Sequence, residues 1–142
     1  MPTDILIREA KAKDAGVVVR LIQQPGSESP ITMDYVLSYL EETNNTILLA
    51  ERTGQVDGLL SYSVRPDLYH AGNSALIEEL VVDENCRGEG VGSALITALM
   101  ERLKGLDCRE VCLAVMPDNE RAIRFYRSQG LVEEALFLEK HF

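Results

Sequence analysis

The sequence has no tryptophan, three cysteines, two histidines and few basic residues, with 14 Lys and Arg set against 23 Asp and Glu for a formal net charge of -9. Cys86, Cys108 and Cys112 are odd in number and form no CxxC pair, so neither a disulfide framework nor a zinc cluster is indicated and free thiols are expected. His70 and His141 stand far apart in the sequence. That separation makes a histidine-rich metal site or a Ser-His-Asp hydrolase hard to build, and no metal is expected. The shortage of positive charge opposes general binding to phosphate backbones, so nucleic acid is not an expected partner. No apolar run approaches the roughly 20 residues a membrane helix needs, and the opening Ile5-Leu6-Ile7-Arg8 region lacks a basic stretch followed by an apolar one. A cytoplasmic protein without a membrane partner is therefore expected. Chemistry is left to carboxylates, tyrosines and backbone.

Apolar residues are plentiful, at 46% of 142 positions, which suits one compact domain over residues 1–142 that buries roughly 70% of its unfolded surface. Alternation over residues 5–8 predicts a short strand, and Asp14 stands where the N-cap of a helix over 15–23 belongs. The breaker cluster from Pro25 to Pro30 follows. Thr32 then caps a second helix with Tyr35, Val36, Tyr39 and Leu40 on one stripe. Residues 46–51 and 56–64 read as strands joined by a hairpin at Thr53-Gly54-Gln55, with a loop over 66–73 and another strand over 74–82. A helix opens through residues 88–92, and its apolar positions Val91, Ala94, Leu95, Ala98, Leu99 and Leu103 share one face. A strand over 110–116, a helix over 119–129 stopped by Gly130, and a strand over 131–138 complete the chain. The order is β-α-α-β-β-β-α-β-α-β. It predicts an α/β (α+β) fold with a mixed, mostly antiparallel central sheet flanked by helices. The strands over 74–82 and 110–116 should be parallel neighbours, since a helix connects them. Ligands of such folds gather at the C-terminal ends of parallel strands, which directs attention to the turn after Val82.

That turn runs Asp83-Glu84-Asn85-Cys86-Arg87-Gly88-Glu89-Gly90-Val91-Gly92 and enters its helix through three alternating glycines. Without Cβ atoms in the way, an anion can reach several backbone amides at the positive end of the helix dipole. Arg87 adds a positive fork beside them. A phosphate or pyrophosphate site is the physical inference. A dinucleotide fingerprint fits less well, because the glycines read R-G-E-G-V-G late in the chain, and no Gly-Lys-Ser or Gly-Lys-Thr closes a nucleotide triphosphatase loop.

Leu80-Val81-Val82, then Arg87-Gly88-Glu89-Gly90-Val91-Gly92 with the RxxGxG element at Arg87, Gly90 and Gly92, then Asn119, Ala122, Phe125-Tyr126 and Gly130-Leu131 resemble the acetyl-CoA-binding core of the GNAT N-acetyltransferase superfamily. The motif-bearing half spans roughly residues 74–132. The resemblance implies a GNAT-like acyl-CoA N-acyltransferase fold and acetyl-CoA as the acetyl donor. It implies that the pantetheine arm lies along Leu80, Val81 and Val82, and that the pyrophosphate rests on Gly88, Glu89, Gly90, Val91 and Gly92, with Ser93 at the end of the nest. Asn119, Ala122 and Tyr126 complete the implied cofactor contacts. Glu89 departs from a position that is basic or neutral in many relatives, so its side chain must point to solvent or it would repel the phosphates. Cys86 departs from a commonly aromatic position. A homodimer is common among similar proteins.

Acetyl transfer to an amine needs the amine uncharged, the oxyanion stabilised and the departing thiolate protonated. Asn119, Ala122 and Tyr126 share one helix face, and a phenol is protonated at neutral pH and able to donate. The resemblance assigns the matching tyrosine this acid role. Leu76-Ile77-Glu78-Glu79-Leu80 places two adjacent carboxylates in a strand, where alternation sends them to opposite faces. Burial would raise the pKa of at least one. Glu78 is the expected base on the family pattern, with Glu79 in reserve and a water relay as the other route. An amine-bearing small molecule or peptide is the expected acceptor, attacked directly with no acyl-enzyme. Acidic and aromatic residues of the first helices and the β-β loops, among them Glu28, Tyr35, Tyr39, Glu42 and Tyr69, suit an ammonium ligand. A catalytically silent acyl-CoA sensor is the alternative.

Overall fold

The computed structural model describes residues 4–142. Five strands, β1 (Leu6–Glu9), β2 (Asn45–Arg52), β3 (Gln55–Asp67), β4 (Gly72–Val82) and β5 (Cys108–Leu113), form one sheet in the order β1-β2-β3-β4-β5. Successive pairs are antiparallel except β4 and β5, which are parallel as their helical crossover requires. The hairpin between β2 and β3 closes through Thr53 and Gly54, both with positive φ, so Gln55 already pairs with Arg52.

Helices cover both faces of the sheet. One face carries α1 (Ala15–Ile22) and α2 (Met33–Glu41), whose Val18, Leu21 and Val36 pack on Ile47, Leu49 and Leu59. The other carries α3 (Val91–Leu103), whose Val91, Leu95, Leu99 and Leu103 pack on Leu48, Leu60, Ala75 and Ile77. Covering on both sides explains why Ile47 to Ala50 are all buried in succession rather than alternately. Thr32 caps α2 by accepting from the Tyr35 amide at 3.1 Å. Asp14 does not cap α1. Its carboxylate takes both arms of the Arg8 guanidinium at 2.9 and 3.0 Å and the Lys11 amide at 2.8 Å, tying β1 to the short 3-10 turn that leads into α1. Amphipathic α4 (Glu120–Ser128) lies at the rim with Phe125 against the second core.

The strand expected over residues 131–138 does not form. Gly130, at φ 95°, ends α4, and Arg127 reaches back from α4 to the Glu134 carboxylate, holding the segment beside the helix instead of along β5. Leu136 and Leu138 are left 91% and 88% exposed. A β-rich pattern needs a ladder partner before it becomes a strand.

Candidate active site

The ladder between β4 and β5 stops at Ile77 and Leu113. Beyond it the two parallel strands part, leaving Leu80, Val81 and Val82 paired to β3 on one edge, through Leu60, Leu59 and Gly58, and without a strand on the other. An irregularity at the same level sets the chemistry. Ser61 faces Glu79 while its neighbour Tyr62 faces Ile77, so Glu78 is an extra residue, a β-bulge. The Ser61 hydroxyl accepts from the Glu79 amide at 3.1 Å.

The bulge corrects the expected alternation. Glu78 and Glu79 do not go to opposite faces but line one cavity of about 130 Å³ together with Ile22, Ile31, Tyr35, Val36 and Tyr39. The Tyr39 hydroxyl donates to Glu78 at 3.1 Å. Burial, followed by the Glu78 charge, pushes the Tyr39 phenol well above its usual range. Glu79 keeps solvent access through the cavity mouth, yet the protein crowded around it, and then the Glu78 charge, raise its carboxyl above 4.5. Tyr126 on α4 is partly buried, and burial followed by the Glu79 charge raises its phenol above 10.0. A larger depression of about 450 Å³ lies along Glu9 to Ala12 and the end of α2, and holds none of these groups.

At the C-terminal end of β4 a 3-10 turn (Glu84–Cys86) leads through Arg87 and Gly88 to Gly90, whose φ of 85° forms the entry to α3. That left-handed conformation is the reason glycine stands there. A side-chain carbon built on Gly88 or Gly90 would meet nothing within 4 Å, whereas one on Gly92 would come within 3.1 Å of Phe125. The loop is therefore bordered by open space at Gly88 and Gly90, while Gly92 lets α4 lie close. Arg87 is exposed and makes no ion pair among the described residues. Glu89 is turned to Arg52, 2.8 Å away, and Arg52 also binds Asp57 at 2.7 Å. Ser93 accepts from the Gln129 side chain at 3.0 Å, linking α3 to α4. Asn119 caps α4 by accepting from the Ala122 amide at 3.2 Å, which places Ala122 and Tyr126 one and two turns along the helix.

Two contributors were missed in the sequence. Arg52, which neutralises Glu89, lies 37 residues away and carries no motif. The bulge did leave a trace, since an apolar-polar-polar-apolar doublet at Ile77-Glu78-Glu79-Leu80 breaks the period of two.

A mixed five-stranded sheet whose parallel pair parts beside a glycine-lined helix entry is a fold shared with acetyltransferases. Residues 17–131 match the model of the Acetyltransferase (GNAT) family, and the chain belongs to that family. It is 26% identical over 153 residues to thialysine N-epsilon-acetyltransferase of Bos taurus, across 89% of this chain and 83% of that protein. Glucosamine 6-phosphate N-acetyltransferase of Trypanosoma brucei brucei is 33% identical over 79 residues, 55% of this chain and 52% of its own. Among solved structures, a transcriptional regulator from Bacillus halodurans C-125 superposes with a TM-score of 0.86 at 27% identity, over 98% of this chain and 100% of that chain. Among the described residues no helix is long and apolar enough to cross a membrane.

Proposed function

We propose that the protein moves the acetyl group of acetyl-CoA to a primary amine of a small molecule or peptide by direct attack in a ternary complex. The carrying observation is the break at Ile77, which opens an unpaired β4 edge and sets Glu78 and Glu79 in one cavity. The residues present fit the donor. The free backbone edge of Leu80 to Val82 suits an extended amide-bearing arm. The amides from Gly88 to Ser93, with Arg87 beside them, suit a pyrophosphate. Bound there, acetyl-CoA supplies the thioester-activated acetyl group.

The chain's own residues then handle protons. Glu79 would take a proton from the incoming ammonium, freeing the nitrogen lone pair that bonds to the acetyl carbon, and as the carbon–sulfur bond breaks Tyr126 would give its phenolic proton to the departing sulfur. Both recover through solvent. Glu79 is favoured over the Glu78 expected from sequence, because burial and a like charge bring its pKa toward the working range. Glu78, bonded to Tyr39, is suited to anchor the incoming ammonium.

The cavity names an acceptor class. Its walls are aliphatic and aromatic, its charges are two carboxylates, and no lysine or arginine lines it. A slender amine such as the N-ε group of thialysine, the bovine relative's substrate by name, matches this lining. A phosphorylated sugar, as in the trypanosome relative's name, would meet repulsion from the carboxylates.

Free-thiol release from acetyl-CoA by the purified protein, against pooled polyamines, amino acids, peptides and aminoglycosides, tests this reading. Amine-dependent release is expected, strongest with slender aliphatic amines. Silence across all pools with tight acetyl-CoA binding by calorimetry would overturn the small-amine acceptor, and no binding would overturn the assignment of the glycine turn. Tyr126→Phe should bind acetyl-CoA normally and lose on the order of 10²-fold in turnover. Full turnover would remove its acid role.

A further inference from the structure

Far from the cleft, at the opposite end of β4, the turn between β3 and β4 brings together residues that the transfer reaction does not use. The His70 ring nitrogen Nδ1 lies 2.7 Å from Asp67 Oδ2, and the His70 amide donates to Asp67 Oδ1 at 3.3 Å. Ser74, buried on β4, donates to the same Asp67 Oδ2. These three contacts fix the Asp67 carboxylate against the turn. With Nδ1 turned to Asp67, Nε2 is the ring nitrogen whose lone pair is available when the ring is neutral.

That lone pair faces Glu110 on β5, with Nε2 3.7 Å from Glu110 Oε2. This is too long for a hydrogen bond. It is close to the spacing of about 3.4 Å expected of nitrogen and oxygen ligands each roughly 2.0–2.1 Å from one tetrahedral Zn²⁺. Donor atoms from Asp67, His70 and Glu110 all lie within 4.8 Å of one another. A carboxylate that orients an imidazole whose other nitrogen points at a second carboxylate is the arrangement by which proteins prepare a histidine for a metal.

We propose that His70 Nε2 and the Glu110 carboxylate bind a borderline divalent transition metal such as Zn²⁺, with Asp67 as the positioning residue and water completing the coordination. The nitrogen and oxygen donor set favours Zn²⁺ over Mg²⁺ or Ca²⁺, which prefer oxygen alone. This departs from the expectation of no metal, because the proposal needs only one histidine and one carboxylate ligand from different elements, with Asp67 orienting the imidazole. Such an ion would act as a clip. Strand β5 is an edge strand held by a ladder to β4 alone, and Glu110 would tie it to the β3–β4 turn. The inference stands apart from acetyl transfer and is read without it.

The test is Zn²⁺ titration of the metal-free full chain by calorimetry, with thermal unfolding and Co²⁺ absorption as second readouts. Wild type should bind one Zn²⁺, melt on the order of 5 °C higher at hundredfold excess over Kd, and give Co²⁺ bands without a thiolate charge-transfer transition. His70→Ala and Glu110→Gln should abolish the melting shift, and Asp67→Asn should weaken binding roughly ten- to hundredfold. His141→Ala, and Cys108→Ser with Cys112→Ser, should leave binding unchanged. No Zn²⁺ binding by folded wild type, equal binding by His70→Ala, or loss of binding on removing the two thiols would each overturn the proposal. A His70→Ala protein that melts lower without metal while wild type ignores Zn²⁺ would mark the cluster as a hydrogen-bonded clamp.

Discussion

Replacing Glu78 by Gln should lower the pKa of Glu79. The change removes a negative charge from the shared cavity while leaving an oxygen to accept from Tyr39, so the local packing survives. Repulsion between two carboxylates lining one cavity favours the protonated form, so removing the Glu78 charge removes the second of the two causes that raise Glu79. The sign follows from charge. With its anionic neighbour gone, Glu79 loses its proton more easily and its midpoint moves down, while burial, the larger cause of its shift, still acts. Carboxyl-¹³C NMR of glutamate-labelled protein, with the Glu79 resonance identified by its loss in Glu79→Gln, reads this without any acceptor. The acid limb of kcat/KM should move to lower pH by the same amount once an acceptor is in hand. A Glu79 midpoint already in the ordinary range in wild type, or one unmoved by Glu78→Gln, would refute the paired-carboxylate reasoning.

Arg52→Gln should release Glu89 beside the glycine turn and raise the KM for acetyl-CoA several-fold, more at low than at high salt; an unchanged KM would mean that Glu89 never faces the loop. Asp14→Asn should cost about 2 kcal/mol through its charged hydrogen bonds to Arg8, measured by urea unfolding. Because Arg8 first, then the Lys11 amide, hold the Asp14 carboxyl below 3.8, that stability is complete above the ordinary carboxylate pKa and lost as pH falls through the lowered one. The variant's stability should therefore fall less steeply than wild type below about pH 4. Changing Cys86, Cys108 and Cys112 together to Ser should leave acetyl transfer intact in a folded protein, as checked by thiol release, since direct attack needs no thiol.

Much of this molecule was legible because local chemistry decides it. The one-faced apolar spacing of α3, the Thr32 cap and the Thr53-Gly54 turn each state their structure within a few residues. The same holds for the R-G-E-G-V-G entry to α3, where a positive φ at Gly90 leaves no room for another residue type's preference. Illegible were relations between elements. The Arg8–Asp14 clasp displaced an expected helix cap, since a paired guanidinium stabilises a carboxylate more than one helix amide does. Tyr39 could be read as one of many tyrosines, but only the approach of α2 to β4 put it on Glu78.

By itself the sequence determined the order of most elements, the parallel crossover from β4 to β5 and the glycine-lined entry to α3, because periodicity, turn residues and glycine positions act over short range. Tertiary structure alone decided three things. It set both Glu78 and Glu79 in one cavity, because a bulge is a mismatch between two strands and exists only once they pair. It left residues 131–138 without a strand despite their pattern, because a strand needs an edge to join and Arg127 holds the segment elsewhere. And it carried His70 to Glu110 across 40 positions of sequence, because hydrogen bonds between neighbouring strands, not nearness in the chain, fix which side chains meet.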